Sequence, residues 1–331
     1  MKIIKNRLIE LFNGRRKKGT FVLVTPNLNS QCSVCEGNRL VAVQPALELA
    51  YLRCLSCGFE QQEIENNTLS ESFEKAQTLH YEEDDLMFTK TVRAINWHRA
   101  GVRLKVVKKH FQSGRLLEIG PGMGEFLQQA SQQGLLVEAV ETAKRFAKYL
   151  REDLKIKTYE STLEDLNLEG KQYDALYSSH VIEHVVDPVL YLSTAKKYVK
   201  PGGLFFIMTP NGDCWEHQLV DRAWSMYSKA HLHIFTAPSL KICLQKAGWE
   251  VKDVETPEYS EDWIRAIVSF LFNRKPKSIP PPGKNIRRLP EWLTIAILRT
   301  ANVFLSPLAL VQSSRKKGGE LFVIAQRPLA E

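Results

Sequence analysis

From residue 115 onward, short apolar runs alternate with longer stretches in which apolar residues recur every three or four positions. The first pattern suits strands buried on both faces. The second suits amphipathic helices that cover them, so the alternation predicts an α/β fold with a parallel sheet between two helical layers. Strands are expected at 115–119, 136–141, 156–159, 175–178, 204–208, 249–255 and 320–326, and helices at 89–111 and 125–133. Gly134 is placed to end the second helix, and Lys200-Pro201-Gly202-Gly203 to turn the chain into the fifth strand.

The patterning divides the chain into a leader (1–28), a cysteine-bearing module (29–62), a connector with lead-in helices (63–111) and a body (112–331). The connector is polar and rich in Glu and Asn. The body carries a large insertion, 257–318, before its last strand. Within the insertion, 292–311 is apolar almost all round, but Arg299 and Pro307 interrupt it. A charge is costly in hydrocarbon and an internal proline kinks a helix, so an interfacial or lid-forming helix pair is expected rather than a membrane span, with simple packing on the body as the alternative.

Chemistry concentrates where the first apolar run of the body ends. Gly120, Gly122 and Gly124 stand at alternate positions directly before a helix, a turn in which bare backbone can approach a ligand. Glu118 precedes the turn and Glu141 closes the next apolar run. An acid about twenty residues beyond such a turn can accept hydrogen bonds from both hydroxyls of a ribose. A dinucleotide fits poorly, because the fingerprint glycine three residues after Gly122 is replaced by Glu125, which would oppose a phosphate at the helix start. Glu118 suits a cationic ammonium group. Ribose, adenine and a cationic amino-acid end without phosphate describe S-adenosylmethionine.

At this point the chain resembles the class I S-adenosylmethionine-dependent methyltransferases, in particular the bacterial group related to ubiquinone-biosynthesis O-methyltransferases. The resemblance covers about 81–328 and rests on Leu117-Glu118-Ile119-Gly120-Pro121-Gly122-Met123-Gly124, Val140-Glu141, Tyr173-Asp174-Ala175-Leu176, Val181-Ile182-Glu183-His184-Val185 with Asp187-Pro188, Lys200-Pro201-Gly202-Gly203 and Thr209-Pro210-Asn211. It implies a seven-stranded, doubly wound Rossmann-like sheet closed by an antiparallel hairpin, which here the insertion interrupts. It also implies a cofactor pocket that includes Leu163 and Ser179 beside the glycines and acids already named. Residues just past the fourth strand line the methyl-donor end of that pocket, so His180 is the candidate general base, with a merely pocket-shaping role as the alternative. His180, Glu183 and His184, at i, i+3 and i+4 of an expected helix, could instead hold a divalent ion. Related quinone methyltransferases that are metal-assisted carry Glu where His180 stands, so that reading is the weaker one. His231 and His233 lie in a stretch where acceptor contacts are expected.

Cys32-x-x-Cys35 and Cys54-x-x-Cys57 supply four soft ligands with the spacing of a zinc ribbon, and an all-thiolate set without an open position is structural rather than catalytic. A module so small would draw much of its stability from bound Zn²⁺. Six cysteines in 331 residues, four of them in such pairs, favour a reducing compartment. With no secretory signal pattern, the expected location is cytoplasmic.

Charge sharpens the choice of partner. Net +8 overall resolves into about +6 over 1–19, +9 over 274–317 and a mildly acidic remainder. Both basic segments are also apolar; Ile3, Ile4, Leu8, Leu11 and Phe12 recur at helical spacing in the leader. Such segments fit peripheral contact with the inner face of an anionic membrane, or packing on the body with a solvated basic edge. The expected acceptor is a small or lipid-linked molecule, methylated on oxygen. RNA methylation with the ribbon gripping nucleic acid is the second class. It is disfavoured because Ser178-Ser179-His180-Val181 replaces the Asn/Asp-Pro-Pro-aromatic motif of base N-methylation, and no cysteine nucleophile stands where pyrimidine chemistry needs one. A non-catalytic cofactor-binding subunit is the third. The oligomeric state is left open.

Overall fold

A computed structural model describes residues 31–44, 49–63, 90–221, 224–259, 262–263 and 291–329. The leader helix, most of the connector and residues 264–290 of the insertion lie outside the described residues.

The body is organised by seven strands: β4 (Arg115–Ile119), β5 (Leu136–Val140), β6 (Thr158–Tyr159), β7 (Tyr173–Ser179), β8 (Val199–Pro210), β10 (Glu250–Glu255) and β11 (Glu320–Gln326). They lie in the order β10-β11-β8-β7-β4-β5-β6. β4 pairs in parallel with β5 and β7, and β7 in parallel with β8; β11 runs antiparallel to both β8 and β10. Each expected strand is present. The third is shortened to its last two residues, which pair with Ala139 and Val140 at the sheet edge. The fifth starts earlier than expected, at Val199; the Lys200–Gly203 turn bulges out of the strand and shifts its register against β7.

Alternation along the strands sends successive side chains to opposite helical layers. Leu117, Leu176, Phe205, Ile207 and Val323 pack beneath α4 (Pro188–Lys197) and α6 (Ala237–Lys246), contributed through Tyr191, Leu192, Leu240 and Leu244. Leu116, Ala175, Tyr177, Phe206 and Phe322 pack beneath α1 (Lys90–His110), α2 (Glu125–Gln132) and α3 (Lys144–Glu152), contributed through Leu104, Val107, Phe126, Leu127 and Leu150. At about 1.5–3 kcal/mol for each fully buried large side chain, these two layers dominate the stability of the sheet. Asp187 caps α4 by accepting from the Val189 and Leu190 amides, and Pro188 opens the helix where no amide proton is needed.

The cysteine module forms β1 (Leu40–Val43), β2 (Tyr51–Cys54) and β3 (Glu60–Gln62), and it does not stand apart from the body. β3 pairs antiparallel with β9 (His233–Ile234), a body segment, which makes a four-stranded sheet. Buried Glu60 accepts from Arg53 Nε at 2.6 Å and from Tyr227 Oη at 2.7 Å, so the junction carries a paired charge rather than a bare one.

The insertion contributes α7 (Glu291–Ser314), which runs through Pro307. Its C-terminal end is fastened by buried Gln312, whose Nε2 lies 2.8 Å and 2.9 Å from the Glu216 carboxylate oxygens and 2.9 Å from Glu258. Glu216 belongs to α5 (Trp215–Val220). Among the described residues no helix is long and apolar enough to cross a membrane.

Candidate active site

The chain leaves β4 and proceeds outward through β5 to β6, whereas β7 leads the other way to β8. A crevice opens at the carboxyl ends of the strands where this order reverses, the usual ligand position in open α/β sheets. Here it is a cavity of about 450 Å³. Glu118, Gly120, Gly122, Glu141, Leu163, Ser179 and His180, all singled out from sequence, line it.

Gly124 does not line the cavity. Its φ of +72° starts α2, and a Cβ there would come within 2.6 Å of Leu150 Cδ2. Its absent side chain serves the packing of α2 on α3. Gly122 is different: with φ +54°, a Cβ on it would meet nothing within 4 Å. The bare backbone there faces open space. Glu141 holds the turn in place, accepting from the Gly122 amide at 3.0 Å and from the Ala143 amide at 2.8 Å.

Glu118 is buried, and its Oε2 has no hydrogen-bond partner. Burial, together with the nearby carboxylates of Glu125 and Glu141, pushes it well above the usual carboxylate range, against the pull of Arg103. Ser179 Oγ and Tyr177 Oη are likewise buried without partners. Orphaned polar atoms of this kind cost free energy unless a ligand or ordered water satisfies them. A buried carboxyl with one orphaned oxygen, an acid at the ribose distance and an open glycine backbone fit the donor set that S-adenosylmethionine requires.

His180 follows β7 with φ +56°, an unusual conformation for a residue with a side chain. Its Nδ1 lies 3.0 Å from Glu183 Oε1 and its Nε2 3.0 Å from Glu320 Oε1. Burial alone would favour the neutral ring, but hydrogen bonds to and charge on the two carboxylates outweigh it and push the imidazole up to about 9. Burial would raise Glu183, yet His180 holds it down at about 2. Glu320 is held far below the usual range by Arg103 and His180. Arg103 Nη2 sits 3.2 Å from His180 Nε2 because both groups donate to the same oxygen of Glu320. About a third of the His180 side chain remains accessible.

The expected helix carrying His180, Glu183 and His184 is a tight turn instead, because Asp187 and Pro188 start the helix later. His180 is consequently not grouped with the other two as ligands. Glu183, His184 and His231 approach one another, and the His184 and His231 rings lie 4.9 Å apart, edge to face. His233 turns elsewhere, stacking on Phe59 of the cysteine module. The two histidines therefore do not face one ligand together.

Arg99, Arg103, Tyr259 and Glu320 had not been singled out from sequence. Arg99 and Arg103 stand one helical turn apart on α1, a spacing that could have drawn attention to them, and the Arg99 guanidinium lies 4.5 Å from the Tyr259 ring centroid. Glu320 opens the last strand, far away in sequence, and only the return of β11 beside β8 brings it to His180.

The four module cysteines lie together. Their sulfurs are within 4.8 Å of one another, with Cys32–Cys57 at 3.7 Å and Cys35–Cys54 at 3.5 Å. A tetrahedral Zn²⁺ at bond lengths of about 2.3 Å would hold sulfurs about 3.8 Å apart, so the cluster has the dimensions of a zinc-ribbon site.

The seven-stranded sheet with its helices is the Rossmann-like methyltransferase fold. Residues 98–254, just under half of the chain, match the family model described as a methyltransferase domain. The ubiquinone biosynthesis O-methyltransferase of Cereibacter sphaeroides is 35% identical over 106 residues, covering 30% of this chain and 43% of that protein. The same-named protein of Caulobacter vibrioides is 34% identical over 107 residues, covering 30% and 42%. The chain thus spans under half the length of these curated relatives. Among solved structures, an S-adenosylmethionine-dependent methyltransferase of Thermotoga maritima superposes with a TM-score of 0.48 at 18% identity, covering 78% of this chain and 100% of that one.

Proposed function

We propose that this protein transfers a methyl group from S-adenosylmethionine to an oxygen of a small-molecule or lipid-linked acceptor. The observation that carries the reading is the pair of carboxylates around the glycine turn, one buried with an oxygen that has no partner and one fixed to the turn itself. Glu141 would accept from the ribose hydroxyls, Glu118 would face the ammonium group, and Gly120, Gly122, Leu163 and Ser179 would form the walls. The bound cofactor supplies an electrophilic methyl group. The protein's part is to align the acceptor oxygen and remove its proton.

His180 is the candidate for that proton. Locked between Glu183 and Glu320 it is an imidazolium at neutral pH, so it accepts a proton only after giving one up. A divalent ion through His180, Glu183 and His184 is disfavoured by the turn geometry. Similarity to relatives named O-methyltransferases supports oxygen as the acceptor atom. The cysteine cluster is proposed to hold one structural Zn²⁺ that stabilises the 29–62 module on the body, and the protein to act in the cytoplasm.

Calorimetric titration with S-adenosylhomocysteine tests the reading: binding by the full chain and its loss in Glu141→Ala are expected. No binding by the intact protein would overturn it.

A further inference from the structure

Over its described C-terminal half α7 is apolar on two sides, and among the described residues the body covers only one of them. Leu305 and Leu308 turn inward against the cluster of Trp215, Leu219 and Trp263, and Gln312 is buried on the same side. Val303, Phe304, Leu310 and Val311 remain 71%, 78%, 72% and 42% exposed. With 3.6 residues per turn, these four and the exposed Pro307 fall within an arc of about 120°, opposite Leu305, Leu308 and Gln312. Single exposed apolar residues, such as Leu136 or Leu190, need no explanation. A contiguous apolar face on one helix does.

The charge of the sequence that carries this helix points to the occupant of the face. Residues 274–317 hold ten basic residues and one acid, and Arg315 and Lys316 lie exposed just beyond the helix. A basic segment carrying an apolar helical face matches the interface of an anionic bilayer, where the apolar side enters the acyl boundary and the cations meet lipid phosphates. α7 also packs against α1, the helix that brings Asn96, Arg99 and Arg103 to the cavity.

We propose that the outward face of α7 docks on an anionic membrane surface and lies in its plane. The docking holds the cavity one helix away from the lipid, where an acceptor with an acyl or isoprenoid anchor could reach it. Docking itself does not depend on methyl transfer, so it can fail while the catalytic reading stands, and the reverse.

The test is flotation of the full chain with vesicles of phosphatidylcholine mixed with phosphatidylglycerol, against phosphatidylcholine alone. The wild type should float with the anionic vesicles and lose much of that binding at high salt. Phe304→Asp combined with Leu310→Asp should lower the bound fraction on the order of tenfold or more, while S-adenosylhomocysteine affinity stays unchanged. Val303→Ser combined with Val311→Ser, a milder change at exposed positions, should lower it less. Failure of the wild type to float, equal flotation with neutral vesicles, or undiminished binding by both variants would overturn the proposal. A wild-type dimer that the Phe304/Leu310 variant converts to monomer would also overturn it, by assigning the face to a second copy of the chain.

Discussion

Glu141 Oε2 accepts the amide proton of Gly122 at 3.0 Å, which ties the acid after β5 to the midpoint of the turn after β4. The same carboxylate is thus a strut for the turn and the proposed ribose acceptor. Glu141→Ala should weaken S-adenosylhomocysteine binding by about tenfold or more, since hydrogen bonds to a charged group are worth about 1.5–3 kcal/mol. The two glycines should separate. Gly122→Ala strains a left-handed position that faces the cavity, and should reduce affinity more than stability. Gly124→Ala drives a methyl into Leu150, and should cost on the order of 1–3 kcal/mol of stability in thermal unfolding.

Burial and two neighbouring acids raise Glu118 well above the usual carboxylate range in the free protein, against the pull of Arg103. A cationic ammonium placed beside it would reverse that shift, so ligand binding near neutral pH should release up to about one proton. Titration in buffers of different ionisation enthalpy measures this directly. Release that persists in Glu118→Gln would assign the proton to another group.

The His180 ring ionises higher in the folded protein, at about 9, than the ordinary value of 6.5. Its pairing contributes stability in full below pH 6.5, and that contribution is lost as pH rises through 9. Glu183, held near 2, works the other way: its contribution is present above its ordinary 4.5 and is lost as pH falls toward 2. If His180 removes the acceptor proton, turnover should climb with pH toward 9 and His180→Ala should flatten the profile. Unchanged turnover in His180→Ala would leave the residue a pocket-shaping role only.

Removal of metal should be felt at β9. Thr236 Oγ1 donates to the Cys57 carbonyl at 2.6 Å, Phe59 stacks on His233, and β3 pairs with β9. Chelation, or Cys35→Ser, should therefore expose the amides of 224–236 to hydrogen exchange while β4, β7 and β8 stay protected and S-adenosylhomocysteine still binds. Metal analysis should return one zinc per chain. Uniform loss of protection across the sheet would show that the module supports the whole body rather than this edge.

Glu216 is pushed up to about 7 by burial, and Glu258 is raised well above the usual carboxylate range by burial and by Glu216. Acids raised on folding stabilise fully below their ordinary value of 4.5, and the Glu216 contribution is lost as pH rises through 7. Glu216→Gln should accordingly gain on the order of 1 kcal/mol at pH 8 and little at pH 5, read from melting curves.

What the sequence determined by itself was most of what depends on local order, the turn at 181–184 excepted. Strand and helix periods located β4 through β8, β10 and β11, the glycine turn announced a ligand approach, and the cysteine spacing announced the thiolate cluster. These features survive in one dimension because backbone geometry and ligand spacing are set within a few residues. Tertiary structure alone decided the rest. The joining of β3 to β9, the return of Glu320 beside His180, the separation of His231 from His233 and the outward face of α7 each depend on segments far apart in the chain. Whether a carboxylate lies near an imidazole, or an apolar face finds a cover, is settled by packing, and packing is a property of the assembled sheet rather than of any window of residues.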